Sequence, residues 1–485
     1  MSTYRKVIEF KTVADFRAYL AQENFLIPLA DSVPADGSAA LAQPIKALGQ
    51  TIGNRWAILP MEGWDCRPDG APSEFTRRRW LNFATSGAKL IYGTEAAAVM
   101  SSGRSNPRQL MAVPGTTKAL QNLCREMRQL HREKFGSDED LCIGLQLTHS
   151  GRFSHPHQDA VLEPVTAYSH PLLDRKFGNS PKDVVSDEGL AQIIRAFITA
   201  AGVAQEAGFD FVDFKHAHGY LGHEFLTAYD RPGPYGGSWE NRTRFFREVA
   251  EGIRKSCPGL KLSARLSIFD MFPFVKGEDG VGHPMPWEGN YPYAFGGDGS
   301  GLAMDPELQD TCAFVRLLQE YGVELICGTI GSPYYNVHAQ RPAYYPVSDG
   351  YQMPEHPLFN VARHLAAVKR LREKCPGLLV VGSGYTCLQE YLPNAAEAAL
   401  NNHWTDFVGI GRMVLSYPEI CADTLAGRPL QRQRICRTFG DCTNAPRNGM
   451  ISGCFPLDDF YKRLPEAARL RECKRAAQDK LTKQE

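Results

Sequence analysis

The 485-residue chain has no excess of charge of either sign, since Lys+Arg and Asp+Glu both number 54. That balance argues against nucleic acid or an anionic membrane as a partner. Long apolar runs are missing too. The N-terminus, "MSTYRKVIEFKTVADF", has no signal-peptide core. The most apolar long segment, "AQIIRAFITAAGVAQEAG", is interrupted by Arg195 and Glu206 and reads as an amphipathic helix, not a membrane span. The 13 cysteines are odd in number and scattered, so they form no disulfide framework and read as reduced cytosolic thiols. No G-x-G-x-x-G follows a strand: "GSGYTC" (382–387) and "GDGSGL" (297–302) both lack the third glycine. Their absence weighs against an open dinucleotide-binding sheet. What remains is a composition of 43% apolar and 22% charged residues, ordinary for a cytoplasmic globular protein with a large core. A small molecule is the expected partner, and a homo-oligomer stays open.

What is present is an alternation. Strand-like runs occur at "NRWAILPM" (54–61), "KLIYGTEAA" (89–97), "CIGLQL" (142–147), "FVDFKHA" (211–217), "KLSARLS" (261–267), "VELICGTI" (323–330), "GLLVVGSG" (377–384) and "DFVGIGR" (406–412). Helix-period segments such as "SEFTRRRWLNFATSG" and "NVARHLAAVKRLREK" lie between them. Parallel strands need such crossovers, and eight units are the number that closes an α/β sheet into a (β/α)8 TIM barrel. The expected organisation is an N-terminal appendage over residues 1–45, the barrel over 46–430 and a largely helical C-terminal tail over 431–485. Two connections, 148–183 and 268–305, are unusually long and rich in aromatics, His and Gly. Both leave the C-terminal ends of strands, the face that carries barrel active sites.

Polar residues converge on that face. Gln146 ends the third strand, Lys215 the fourth, and Arg265 lies in the fifth. The seventh runs into Gly382, Ser383 and Gly384, and the eighth into Gly411 and Arg412. Small residues there let backbone N–H groups approach a phosphate, and Arg412 offers it a bidentate contact.

The motifs "LPMEG", "GTEAAAV", "LQLTHSGR", "HAHGYLGHEF", "YGGSWENRTRF", "ARLS", "VVGSGY" and "GIGR" follow one another in an order and spacing that resembles the old yellow enzyme, or NADH:flavin oxidoreductase, family, including the barrel domain of 2,4-dienoyl-CoA reductase. The resemblance implies FMN as cofactor. Pro60, Met61, Glu62 and Ala96 would line the isoalloxazine, and Gln146 would bond its pyrimidine edge. Arg265 would sit near N1, with Gly382, Ser383, Gly384, Gly411 and Arg412 around the phosphate. It also implies that Tyr220 is the proton donor and that Lys215 and His218 occupy the positions of a pair binding the substrate's activating oxygen. "YGGSWENRTRF" reads as structural, with Asn241 and Arg242 shaping a helix start. His216, of opposite parity on its strand, is expected to pack outward.

Two departures stand out. Lys215 replaces the family's histidine, which suits a carboxylate, a nitro group or a developing enolate, or else an ion pair with Asp213 or Glu62. Glu62 places a carboxylate near flavin N5, where it would disfavour reduction unless protonated or paired. In the tail, Cys442 and Cys454 keep the spacing of a [4Fe–4S] motif, but Ile435 and Thr438 stand at the earlier ligand positions and Cys436 is one place out of register. No cluster is therefore expected, and the three cysteines read as an inert vestige, with another metal left open. No FAD- or NAD-binding module follows, so NADH or NADPH is expected as a diffusing reductant. The reading is an FMN-dependent NAD(P)H oxidoreductase of ene-reductase type, acting on an activated C=C bond. The alternatives are a flavin-dependent amine dehydrogenase or N-demethylase, and a flavin-free lyase using Lys215 as a Schiff base.

Overall fold

The computed structural model describes residues 4–347 and 350–482, with side chains described to residue 476. Eight parallel strands close on themselves: β1 (Trp56–Ile58), β2 (Leu90–Ile91), β3 (Cys142–Thr148), β4 (Phe211–His216), β5 (Lys261–Phe269), β6 (Leu325–Ile330), β7 (Leu379–Gly382) and β8 (Phe407–Ile410). β8 pairs with β1 through Val408 and Trp56, and β2 pairs with both β1 and β3, so no edge is left. A helix of at least ten residues lies between each strand and the next, as in Thr117–Phe135 between β2 and β3 and Pro357–Lys374 between β6 and β7. The fold is the (β/α)8 TIM barrel that the alternation predicts.

Local chemistry sets the helix ends. Ser186 accepts the Gly189 N–H at 3.1 Å to start Asp187–Ala207. Ser238, not Asn241, caps the helix in the "YGGSWENRTRF" motif. Arg242 instead donates to the carbonyl oxygens of Leu226 and Gly237.

Inside the barrel, residues of one parity form a separate apolar cluster that includes Leu90, Tyr92, Cys142, Phe211, Cys327 and Phe407. The hairpin Ile45–Ala47/Gln50–Ile52 adds Ala47, Leu48 and Ile52 to it and seals the N-terminal end. Residues of the other parity face the helices. His216 is among them, packed between Phe214, Phe246 and Phe314.

One strand differs from expectation. "KLIYGTEAA" is not continuous: β2 ends at Ile91, and Ala96–Ala98 forms a second short segment paired with Gln146–Thr148 at the far end of β3. Between the two segments Glu95 is buried against Arg79, which pulls the chain out of regular pairing.

The segments outside the barrel pack onto it. Phe16 stacks on Tyr391 at 4.7 Å, and the Glu397 carboxylate accepts the N–H groups of Ala40 and Leu41. In the tail, Met450, Ile451, Phe455, Tyr461 and Leu470 form a small core against Phe75. No helix among the described residues is long and apolar enough to cross a membrane.

Candidate active site

At the C-terminal mouth a cavity is lined by Pro60, Met61, Glu62, Ala96, Gln146, Lys215, His218, Tyr220, Arg265, Ser383, Gly384, Gly411 and Arg412. Among the candidate residues Gly382 stands outside this lining; its N–H is given to Thr405 Oγ1 at 3.0 Å, so it shapes the turn beneath the wall. Residues that motif reading passed over complete the wall, chiefly Tyr334, Gln340 and Arg341. They come from the loop after β6, "GSPYYNVHAQRP". Its aromatic and His content, the property that singled out the two longer loops, was the available signal.

The stretch after β4 explains how several groups share one small site. Lys215 points inward with Asp213 below it, and the chain then turns sharply. His218 adopts φ +67° and Gly219 φ +76°. A side chain at Gly219 would meet Tyr335 Cε1 at 2.7 Å, so only glycine fits. A histidine in the left-handed region is uncommon, and such strain concentrates at functional sites. Ser267 Oγ accepts the His218 N–H at 3.2 Å, and Ser332 Oγ donates to the His218 carbonyl at 2.8 Å, holding the turn from both sides. On the ring, the Gln340 amide donates to Nε2 at 3.2 Å, which leaves the imidazole proton on Nδ1. Burial, then Arg265 and Lys215, keep His218 well below the usual histidine pKa, hence neutral.

Glu62 is the hub of the mouth. Its Oε1 accepts from Tyr220 OH at 3.0 Å and from Lys215 Nζ at 3.4 Å. Its Oε2 accepts from Ser105 Oγ at 2.7 Å and Trp64 Nε1 at 3.0 Å. The paired carboxylate is the case in which Glu62 beside a flavin is compatible with its reduction. Lys215 Nζ also lies 3.6 Å from the centre of the Tyr220 ring, a cation–π contact. Burial pushes Lys215 down to about 8, against the opposing pull of Glu62. Burial, then Glu62 and Tyr334, raise Tyr220 well above an ordinary phenol, so it keeps its proton at neutral pH. Tyr334 OH lies 2.8 Å from Tyr220 OH, and its ring stacks on Phe153 at 4.0 Å.

The loop carrying Glu62 is fixed from behind. Gly63 N–H donates to Glu95 Oε1 at 3.0 Å. Arg79 bridges Asp65 and Glu95 at 2.5 and 2.6 Å. A side chain at Gly63 would run into the Arg79 guanidinium at 2.2 Å. Asp65, Cys66 and Glu95 are close enough to resemble a metal site, but Arg79 already saturates the two carboxylates.

The cationic groups show what the mouth is built to hold. Arg265 is 7% exposed, yet no described residue hydrogen-bonds or ion-pairs with it, and its Nε is unsatisfied. Asp213 is instead engaged by the Gln146 amide and by Tyr92 OH, and burial raises it to about 6. Arg412 spends Nη2 on the Pro342 carbonyl at 2.7 Å and leaves Nη1 without a partner. A buried unpaired guanidinium is costly unless an anion completes it. Two such groups in one cavity, beside the small residues Gly384 and Gly411, fit a ring that becomes anionic on reduction and a phosphate. The residues present therefore fit FMN. Arg341, also in the wall, donates to Cys442 Sγ at 3.0 Å. Cys436, Cys442 and Cys454 are neighbours: burial, then the thiols of Cys436 and Cys442, push the Cys454 thiol up.

A closed barrel with orphaned guanidinium groups and a tyrosine–histidine–lysine set at its mouth defines a cofactor-dependent barrel enzyme. The comparisons give its family. The profile of the NADH:flavin oxidoreductase / NADH oxidase family matches residues 40–285, and the chain belongs to that family. It is an FMN-dependent NAD(P)H oxidoreductase. An NADPH dehydrogenase of Geobacillus sp. (strain WCH70) is 28% identical over 381 residues, 78% of this chain and 91% of that one. Two solved structures share the fold. A 2-naphthoyl-CoA reductase in complex with 2-naphthoyl-CoA superposes with TM-score 0.63 at 18% identity, covering 88% of this chain. The chain spans 58% of that enzyme's length. Morphinone reductase superposes with TM-score 0.54 at 19% identity, covering 81% of this chain and 92% of its own.

Proposed function

We propose that this protein reduces the activated C=C bond of a small molecule, with Tyr220 as proton donor. The observation that carries the reading is the placement of Tyr220. Its hydroxyl is buried, protonated and in the same cavity as the unpaired Arg265. Both structural neighbours are named as reductases, which is consistent with it. FMN, when bound, would supply the hydride that it takes from NADH or NADPH.

Arg265 would meet the N1 side of the ring, Gln146 its pyrimidine edge, and Arg412 with the backbone at Ser383, Gly384 and Gly411 the phosphate. Pro60, Met61 and Ala96 would pack on the ring. As hydride reaches the β-carbon of a substrate, negative charge grows on its activating oxygen. The Nδ1–H of neutral His218 and an ammonium N–H of Lys215 not used by Glu62 are the donors for that oxygen. Tyr220 then gives its proton to the α-carbon.

Tyr220→Phe tests this directly. It is expected to slow reoxidation of the reduced enzyme by an enone about 100-fold, the range of general-acid catalysis, and to slow reduction by NADPH far less. Rapid-mixing absorbance of the flavin reads both steps. Equal loss of the two would sink the proton-donor role.

A further inference from the structure

Resting on Tyr220 as proton donor, the geometry points to a function for the Lys215–Glu62 pair beyond substrate contact: we propose that Lys215 is the proton reservoir of the site and that Glu62 carries its proton to Tyr220. The path is continuous. Lys215 Nζ and Tyr220 OH both bind one oxygen, Glu62 Oε1, at 3.4 and 3.0 Å. The other oxygen is held by Trp64 and Ser105, so the carboxylate presents one edge to both groups at once.

The transfer balances without any redox change. Tyr220 loses its proton to the substrate α-carbon and becomes a phenolate. An N–H bond of the Lys215 ammonium breaks as Glu62 Oε1 takes the proton, and Oε1 passes it to the phenolate oxygen. Lys215 is left as a neutral amine, Glu62 is again a carboxylate, and the amine recovers its proton from solvent.

The neighbouring groups set the direction. Facing Lys215 are Glu62 from the loop after β1, Asp213 and His218 on or just after β4, Tyr220, and Arg265 across the β4–β5 pairing. Arg265 disfavours the ammonium, while Glu62 and Asp213 favour it; burial outweighs them and leaves it an acid of about 8. The phenol is far weaker, so the proton runs from lysine to phenolate. Tyr334 touches Tyr220 as well, but burial raises its phenol too, and it is no better acid. His218 is neutral, with its Nε2 occupied by Gln340.

Glu62→Gln keeps size and an acceptor on one edge only and cannot relay a proton, and Lys215→Arg keeps charge and reach but cannot release one. The experiment follows tyrosinate ultraviolet absorbance after a single turnover of the FMN-loaded, prereduced enzyme with excess cyclohexenone, across pH. In the unaltered protein the phenolate is expected to decay rapidly below about pH 8 and more slowly above it, as the reservoir empties. In both variants decay is expected to be at least about tenfold slower, and in Lys215→Arg its dependence around pH 8 disappears. Phenolate decay like that of the unaltered protein in either variant, or no phenolate signal in either, overturns the relay. If Tyr220→Phe slows reoxidation while the variants behave as the unaltered protein, only the relay falls. If Tyr220→Phe leaves reoxidation fast, the reading beneath it falls as well.

Discussion

Arg79 and Arg265 are buried to nearly the same degree, 5% and 7% exposed, yet their surroundings are opposite. Arg79 lies behind the mouth on the helix Glu74–Ala84, between Asp65 and Glu95. Burial works against its charge, but the two carboxylates outweigh it and hold its pKa well above the usual value. Arg265 stands inside the mouth with no carboxylate bonded to it; the one beneath, Asp213, is bonded by Gln146 and Tyr92. A buried charge that is fully answered by the chain belongs to the scaffold. One that the chain leaves unanswered marks where something else must bind.

The contrast can be broken in three ways. Arg79→Met leaves Asp65 and Glu95 buried without a cation and is expected to destabilise the protein by about 3–5 kcal/mol, read by denaturant unfolding. It should also loosen the loop carrying Glu62. Arg265→Met removes a charge that the apoprotein leaves unpaired. The apoprotein is expected to be no less stable, while FMN affinity falls by about 1.5–3 kcal/mol, measured by titration of the flavin into apoprotein. An apoprotein as badly destabilised by Arg265→Met as by Arg79→Met would erase the distinction. The smallest effect is expected for Arg265→Lys, which keeps the charge but loses the planar fork. Its loss of FMN affinity should be about tenfold, less than for the methionine variant.

The barrel was legible because burial on both faces of a parallel strand produces short apolar runs, and the helices between them repeat at 3.6 residues. All eight strands coincide with the predicted runs, although β3 and β5 run on to Thr148 and Phe269 and "KLIYGTEAA" divides where Glu95 turns in to meet Arg79. The mouth was legible in part. Gln146, Lys215 and Arg412 sit at or near strand ends and Arg265 in the middle of β5, and inward-facing strand positions of a closed barrel converge whatever the loops do. Tyr334, Gln340 and Arg341 were not legible, because nothing local in the loop after β6 says which way it folds over the mouth. Gly382 shows the reverse limit: adjacent glycines look alike in a motif, but its N–H is spent on Thr405.

Read alone, the order of strands and helices was enough to determine a (β/α)8 barrel, because periodicity and local spacing are properties of neighbouring residues, while the flavin was implied only by the resemblance of the motifs to a known family. Only the tertiary structure decided that Glu62 binds Lys215 and Tyr220 together, although 153 and 158 residues separate them in the chain. It likewise decided that Arg79 is answered by acids and Arg265 is not. Electrostatic partnership depends on distances of a few ångströms across the closed barrel, and closure is what brings those groups together.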